Sequence, residues 1–484
     1  MRYDATRRTI LRGGLAGAAG MLGAALPAGS VGGTAVATRR DVNSLAVNDP
    51  VIVTYAAAVR YLRSLPSNDR RSWTYLSIIH QNWCPHQNWY LLPWHREYTL
   101  ALERIIRSLP PAAVPGAASF MMPYWDWTRN PQLPAAFSRP TLGDGMANPL
   151  FVAIRSPSAT TTIPSELVGS GAMRRVYAPA AFETFASGRP PGQTSTHGSW
   201  QRAGSTQGPL EATPHNGVHN WIAGEMITMT SPRDPLFFLH HANVDRIWQS
   251  WNRQGNADTT SANWLNFTFA KNFARPDGTL YDVRVRNIST SSYRYDRLDP
   301  RPAGAATAAA TTTRSFRTAE VASLTLRAAD VAAPDEEEAA ATETVTRRIQ
   351  LPARRVLPSR ATLRIIDLTV PPDLMSGLVR VFVNHPALGR DPAPEGPSYV
   401  GTLAFLGGAR GATAGDTAFE PSDICGAQRN CFSFELPLTD TLGRRRAAGL
   451  ALGGELTVQL VPVGQGGRSA RARLRPVAVE ASFF

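Results

Sequence analysis

Residues 234–246 read Asp-Pro-Leu-Phe-Phe-Leu-His-His-Ala-Asn-Val-Asp-Arg, an apolar run that ends in two adjacent histidines. The second of these, His241, lies four residues before Asp245, and this offset places two side chains on one face of a helix. We therefore expect a helix that presents His241 to the interior. The Asp245 carboxylate is expected to orient this helix and its neighbours.

A second histidine pair lies just upstream. Residues 214–219 read Pro-His-Asn-Gly-Val-His, so that His215 and His219 are also four residues apart. An isolated pair with this spacing is compatible with a zinc site. However, the glutamate of the metalloprotease His-Glu-x-x-His motif is missing. The spacing therefore predicts two imidazoles on one helical face, without the base of a metalloprotease.

A third group of histidines lies closer to the N-terminus. Residues 79–86 read Ile-His-Gln-Asn-Trp-Cys-Pro-His, and residues 92–96 read Leu-Pro-Trp-His-Arg. The apolar periodicity that follows predicts a helix over Leu92–Ser108, and another is expected over Asp49–Leu65. The histidines of this group are His80, His86 and His95.

Six histidines in two groups of three favour a metal centre over isolated core residues. A single buried histidine is more often a hydrogen-bonded core residue than a ligand. Ligation by imidazole alone favours Cu, Zn, Fe or Ni over Mg or Ca. A carboxylate-bridged di-iron site would require Glu-x-x-His motifs, which the sequence lacks. Two sets of three neutral ligands suit two copper ions that share one O2.

These motifs resemble the signatures of the tyrosinase, catechol oxidase and hemocyanin superfamily of type-3 dicopper proteins. The segment Met-Pro-Tyr-Trp-Asp-Trp at 122–127 is similar to the family's sequence between its copper motifs. The resemblance implies a mainly α-helical catalytic domain, with a four-helix bundle around the two copper ions. It assigns one copper to His80, His86 and His95, and the other to His215, His219 and His241. His240 is then a neighbour that does not bind metal, and the unmatched His197 and His385 are expected at the surface.

Cys84 lies two residues before His86 and four after His80. In fungal members of the family, a cysteine at the first offset forms a thioether with the second histidine. In plant members, the bonded cysteine lies at the second offset. The resemblance thus implies a Cys84–His86 cross-link that limits the motion of one ligand, and the alternative is a free buried thiol.

Three further positions bear on substrate chemistry. Hydroxylation of a monophenol requires a base near the metal, because the pKa of phenol is near 10. Glu211 and Asn216 match a glutamate and an asparagine that are proposed to hold a basic water in the family. The alternative is that both are solvated polar residues. Thr228, thirteen residues before His241, replaces the shielding phenylalanine of many plant catechol oxidases and predicts a wider entrance.

The last third of the chain has a different composition. Trp264 is the last of the eleven tryptophans, and short β-type segments follow a Pro/Ala/Thr-rich stretch. Their spacing predicts an all-β antiparallel sandwich or barrel. This part resembles the C-terminal domain of plant polyphenol oxidases, which lies over the copper site and keeps a latent proenzyme inactive. The predicted strands are Thr362–Val370, Leu378–Asn384, Tyr399–Leu406, Cys431–Leu438, Glu455–Pro462 and Ala472–Ser482. The predicted organisation is a catalytic domain at 38–298, a linker at 299–317 and a β-rich shielding domain at 318–484.

The N-terminal sequence bears on the cellular location of the protein. An arginine pair precedes a Gly/Ala-rich, weakly apolar run, and residues 1–37 therefore predict a twin-arginine signal peptide and a periplasmic or secreted protein. No other segment approaches a membrane-spanning length.

The net charge is +13, yet Lys271 is the sole lysine and no basic cluster with interleaved aromatic residues occurs. We therefore expect no nucleic-acid partner. With so few cysteines a disulfide scaffold is excluded, and Cys425 and Cys431 form a plausible pair.

The expected activity is the oxidation of o-diphenols to o-quinones by O2, together with some hydroxylation of monophenols. The partners are then O2 and a phenolic small molecule. An o-aminophenol oxidase and a hemocyanin-like oxygen carrier remain as alternatives. The oligomeric state is left open.

Overall fold

The computed structural model describes residues 37–141, 145–156, 161–288, 290–302, 324–327, 344–350, 360–388, 392–406, 430–450, 452–464, 474 and 478–483. The N-terminal part denotes the described residues from 37 to 302, and the C-terminal part denotes those from 324 to 483. The predicted signal peptide up to residue 36, most of the predicted linker and Cys425 lie outside the described residues.

The N-terminal part is mainly helical. Helix α1 begins with a cap in which Asp49 Oδ1 accepts the Val51 N–H at 2.9 Å, and Pro50 occupies the first turn, where it needs no donor. The predicted helices over Asp49–Leu65 and Leu92–Ser108 are confirmed as α1 and α3. The helices are α1 Pro50–Ser64, α2 Trp73–Trp83, α3 Leu91–Arg107, α4 Ala135–Ser138, α5 Ser165–Val168, α6 Ser170–Tyr177, α7 Phe182–Phe185, α8 Asn216–Ile222, α9 Leu236–Arg253 and α10 Ala262–Leu265. A π-helical turn, Glu211–His215, leads directly into α8.

Helices α3 and α9 pack side by side and are buried along almost their whole length. Asp245 on α9 accepts a bond from Arg96 Nε of α3 at 2.5 Å and one from the Tyr295 hydroxyl at 2.6 Å. Arg39 also reaches this carboxylate, at 3.2 Å. The prediction that Asp245 orients its helix and the neighbours is therefore confirmed.

Short strands complete the N-terminal part. They are β1 Ala37–Arg39, β2 Thr206–Gln207, β3 Thr268–Ala274, β4 Leu280–Arg284 and β5 Tyr293–Tyr295. Strands β1 and β5 pair in parallel, whereas β3 and β4 form an antiparallel pair. The Tyr-Arg-Tyr segment of β5 therefore lies beside β1, where the described part of the chain begins.

The C-terminal part is β-rich, as predicted, with one α-helix and one short 3-10 helix among its described residues. Its strands are β6 Leu324–Arg327, β7 Val345–Gln350, β8 Ala361–Thr369, β9 Leu378–Val383, β10 Tyr399–Ala404, β11 Cys431–Pro437, β12 Glu455–Val463 and β13 Ala478–Phe483. Helix α11, Thr439–Ala447, and strands β6 and β7 were not predicted. The four-stranded sheet has the order β10-β9-β12-β7, and the five-stranded sheet has the order β2-β11-β8-β13-β6. Alternating apolar side chains from both sheets share one buried cluster.

Strand β2 belongs to the N-terminal part but pairs in parallel with β11 of the C-terminal part, with Gln207 opposite Phe434. Strand β10 runs beside the π-helical turn, and Thr213 Oγ1 donates to the Thr402 carbonyl at 2.8 Å. The apolar cores also interlock, since Ala212 belongs to the C-terminal cluster and Ala404 to the N-terminal one. The two parts are therefore joined by backbone pairing, side-chain hydrogen bonds and apolar contact.

A buried ion pair reinforces this junction. Glu166 of α5 accepts two bonds from Arg380 of β9, at 2.9 and 3.0 Å, and a third from Thr402 Oγ1 at 2.6 Å. Both charged side chains are almost fully buried. Because a buried charge requires close partners, the loss of the Arg380 guanidinium or of the Glu166 carboxylate would destabilise this junction.

Candidate metal centre

The predicted ligands come together at the centre of the N-terminal part. His80 lies on α2, His86 in the connection that follows, and His95 on α3. The candidate ligand nitrogens of these three histidines lie within 4.8 Å of one another. A second group consists of His215, His219, His240 and His241, whose ligand atoms meet the same limit. All of these side chains are buried.

The two groups face each other. The rings of His95 and His241 are stacked, with centroids 4.0 Å apart and planes 7° apart. The centroids of His86 and His215 are 5.7 Å apart. The groups therefore occupy neighbouring positions in one site, as a shared small ligand such as O2 would require.

The backbone that carries His215 and His219 is more irregular than the single helix that their spacing predicts. His215 ends the π-helical turn, and His219 lies within α8. Pro214 lies inside this turn and has no N–H to continue an α-helical ladder. The two imidazoles nevertheless point the same way, with ring centroids 4.9 Å apart.

Backbone carbonyls anchor the Nδ1 atoms of three of the histidines. Nδ1 of His80 donates to the Met229 carbonyl at 2.6 Å, and Nδ1 of His219 donates to the Met226 carbonyl at 2.6 Å. Nδ1 of His95 donates to the Leu91 carbonyl at 2.8 Å, within the same helix. Because a carbonyl can only accept, each Nδ1 carries the hydrogen, and the Nε2 lone pair is available to a metal.

Burial also keeps these imidazoles neutral. It lowers the pKa of His80 to about 3 and that of His219 to about 4. Among the described residues, the Nε2 atoms of His215, His219 and His241 have no hydrogen-bond partner. Buried, unpartnered nitrogen lone pairs are unfavourable in a closed core unless a cation binds them. This donor set therefore fits copper, which prefers neutral imidazole.

His240 is closer to the second group than expected. Its ring lies 4.7 Å from that of His219 and 5.4 Å from that of His215, and its other side faces Trp127. Its exclusion from the ligand set stays a prediction. The unmatched His197 is exposed, as predicted, whereas His385 is partly buried against Phe382.

Cys84 is a buried residue that forms no disulfide, and its Sγ lies 3.5 Å from His86 Nδ1. Burial raises the pKa of the Cys84 thiol, so the sulfur is held as a neutral thiol beside the imidazole. This proximity places the two side chains of the predicted cross-link together. Cys431 is disulfide-bonded, while its expected partner Cys425 lies outside the described residues.

Glu211 and Asn216 are both buried, so neither is a solvated polar residue. The Glu211 carboxylate accepts the Gln87 N–H at 2.6 Å and a very short bond from the Ser187 hydroxyl. The hydrogen bonds of Asn216 go to other groups, namely His215 Nδ1, Gln207 Oε1 and the Ala404 carbonyl. Burial raises the pKa of Glu211 to about 7.

Thr228 lies in the connection between α8 and α9 and is partly buried. Its hydroxyl donates to the Glu225 carbonyl at 2.9 Å and lies 2.9 Å from the Thr230 hydroxyl. Thr228 lies one residue before Met229, the carbonyl partner of His80. Its role in substrate access stays a prediction.

Several residues around the centre were not singled out from the sequence. The Phe237 ring lies 4.3 Å from that of His241 and 4.9 Å from that of His80, so it contacts side chains of both groups. The Pro-Leu-Phe-Phe motif that contains it was a usable signal. Ser187 and Gln207 gave no such signal, because neither lies within one of the histidine motifs.

These observations define a candidate dinuclear metal centre built only from histidine. Residues 70–168 and 159–254 match the family model described as the common central domain of tyrosinase. Residues 70–254 are therefore similar to the central domain of the tyrosinases, which are type-3 dicopper proteins.

Relatives and solved structures extend the comparison. The chain is 28% identical over 294 residues to a tyrosinase from a Hahella strain, covering 52% of this chain and 61% of that protein. It is 29% identical over 293 residues to a chloroplastic polyphenol oxidase of Vitis vinifera, covering 52% and 46%. The chain thus aligns with about half the length of these relatives. The structure of latent apple tyrosinase matches with a TM-score of 0.60 at 20% identity, covering 93% of this chain and 96% of that one. This last likeness concerns the fold.

Proposed function

We propose that this protein is a copper-dependent oxidase that oxidises o-diphenols to o-quinones with O2. The observation that carries the proposal is the set of buried, neutral imidazoles in two facing groups. One copper would be held by His80, His86 and His95, and the other by His215, His219 and His241. The copper pair would supply O2 binding and electron transfer. Two diphenols lose four electrons and four protons, and one O2 leaves as two waters.

A role in monophenol hydroxylation is assigned to Glu211 and Asn216. The pKa of Glu211 near 7 is supportive, because the carboxyl group can then hold or release a proton at neutral pH. Asn216 contacts His215, and its amide is therefore close to the expected copper. A water held jointly by these two side chains would accept the proton of the incoming phenol.

We further propose that the C-terminal part keeps the enzyme latent. Strand β10 and the residue after it bond to the segment that carries His215 and His219, through the Ala404 carbonyl to Asn216 and the Phe405 carbonyl to Asn220. A phenol that needs Asn216 would compete with these bonds. Displacement of β10, by cleavage within 299–317 or by detergent, would open the site.

The proposal includes three further features of the protein. These are a Cys84–His86 thioether, a wide entrance at Thr228, and export by the twin-arginine signal at 1–37. The proposal also includes a catalytic domain at 38–298 with a helix bundle around the copper ions. It further includes a shielding domain at 318–484, in which the two C-terminal sheets form a sandwich. Among the described residues, no helix has the length and apolar character to span a membrane.

Oxygen uptake tests the proposal directly. The full-length, copper-loaded protein is supplied with tyrosine, tyramine, catechol or 2-aminophenol, before and after limited proteolysis. Catechol turnover that rises after proteolysis is the expected result. A reversible, O2-dependent absorption band without any turnover, even after proteolysis, would indicate an oxygen carrier. A preference for 2-aminophenol would indicate an aminophenol oxidase.

A further inference from the structure

The hydrogen bond to His215 Nδ1 differs from those to the other anchored histidines. His80, His95 and His219 donate to backbone carbonyls of the N-terminal part, whereas His215 Nδ1 lies 2.9 Å from a side-chain atom, Asn216 Oδ1. An amide side chain can present either its oxygen or its nitrogen. The backbone of the N-terminal part alone therefore does not determine which nitrogen of His215 carries hydrogen.

Two acceptors at the junction, one of them in the C-terminal part, remove this ambiguity. Asn216 Nδ2 lies 3.0 Å from the Ala404 carbonyl, which can only accept, and 2.8 Å from Gln207 Oε1. With Nδ2 turned to these acceptors, Oδ1 must face His215, and His215 Nδ1 must donate to it. The Nε2 lone pair of His215 is then left for a metal.

Gln207 is itself held at the junction of the two parts. It is 1% exposed, its backbone pairs with β11 opposite Phe434, and it also bridges to Ser187. Because its backbone is fixed on both sides and its side chain is buried, Gln207 Oε1 can accept from Asn216 without a shift of the main chain.

From these contacts we propose that Gln207 and the Ala404 carbonyl are positioning groups that set the amide orientation of Asn216 and the tautomer of His215. The C-terminal part would then help to build the copper site that it covers. This inference rests on the proposed copper centre. It predicts that the ion held by His215, His219 and His241 depends on the junction, whereas the ion held by His80, His86 and His95 does not.

Copper retention in the full-length protein tests the inference without reliance on activity. Gln207→Met keeps the side-chain volume but removes the Oε1 acceptor. Outer hydrogen-bond partners of metal-bound histidines typically contribute about 10–100-fold to affinity. Because Gln207 acts on His215 through Asn216, we expect one of the two copper ions to bind about tenfold more weakly, the low end of that range. In a titration with a competing chelator, the copper content should fall from two ions to one per chain where the wild type retains two.

Two variants separate positioning from docking. Thr213→Val removes a hydrogen bond of the same kind between the π-helical turn and β10, but one that does not reach a histidine, and should retain both ions. Gln207→Glu keeps an acceptor and should retain copper better than Gln207→Met. Equal loss in Thr213→Val and Gln207→Met, or two ions held by Gln207→Met as tightly as by the wild type, would overturn the inference.

Thermal unfolding of the copper-free variants shows which of them are folded. If Gln207→Met does not fold, Asn216→Leu tests the same contact, because it removes the Oδ1 acceptor of His215. Retention of both ions at wild-type affinity in that variant would also overturn the inference. A wild-type protein that binds no copper pair would contradict the proposed function itself, which keeps the two failures distinct.

Discussion

The two histidine groups are equally buried but are supported differently. His80 and His95 are anchored by carbonyls of the N-terminal part, one of them in the same helix. In the second group, His219 is anchored in the same way, but His215 depends on Asn216, which also bonds to a strand of the C-terminal part. The first histidine group is therefore supported within the N-terminal part alone, whereas the support of the second group is shared between the two parts of the protein.

The largest expected effect comes from the loss of one ligand in either group. His86→Ala and His219→Ala each remove an imidazole for which no other donor can substitute at the same position. We expect the loss of the coupled copper pair and of all turnover, checked by copper content and catechol oxidation. His197→Ala, at an exposed histidine, is the matched control and should retain both. Diphenol oxidation that survives in His86→Ala would refute the ligand assignment.

The junction of the two parts gives the next largest effect. Glu166→Gln removes the carboxylate charge from the buried pair with Arg380, and the loss of one partner costs about 3–5 kcal/mol in comparable buried pairs. At saturating copper, we expect activation at lower detergent concentration than in the wild type, and higher activity before any cleavage.

The control for this variant is Asp440→Asn. It makes the same chemical change in the exposed Arg444 pair on α11, where the contribution is below about 1 kcal/mol. An activation curve for Glu166→Gln that matches that of Asp440→Asn would count against a latch at the buried pair.

Glu211 gives a pH-dependent effect on stability. Burial raises its folded-state pKa to about 7 from 4.5, so the fold favours the protonated carboxyl group. The stability that this group contributes is fully present below about pH 4.5 and is lost as the pH rises through about 7. Relative to Glu211→Gln, the wild type should therefore lose roughly 2–3 kcal/mol of unfolding free energy between pH 5 and pH 8. Denaturant unfolding of both copper-free proteins measures this difference, and a pH-independent gap would contradict the shifted pKa.

The smallest effect concerns the choice of substrate. Asn216→Gly removes one of the two side chains proposed to hold the basic water. We expect monophenol hydroxylation at saturating copper to fall about tenfold, which is less than the roughly 10²–10⁴-fold contribution of a complete general base because Glu211 remains, with a smaller change for diphenols. The ratio of tyramine to catechol turnover after proteolysis is the measurement. An equal loss for both substrates would remove the proposed role of Asn216.

Much of the fold was predictable, because local patterns decide the elements that matter most. The apolar periodicity around His95 predicts α3, and alternating apolar residues predict strands such as Glu455–Val463. The π-helical turn and β2 were not predictable. The turn depends on how Pro214 is accommodated, and a two-residue strand forms only because β11 lies beside it.

The sequence alone determined six candidate ligands and their division into two groups, because residue type and spacing are local properties of the chain. Only the tertiary structure decided which nitrogen of each anchored imidazole carries hydrogen, and that Glu211 is buried with a raised pKa. It also decided that Ala404, 188 residues after Asn216, orients that side chain. The physical reason is that proton positions and amide orientations depend on hydrogen-bond partners and desolvation, which exist only after distant segments have packed together.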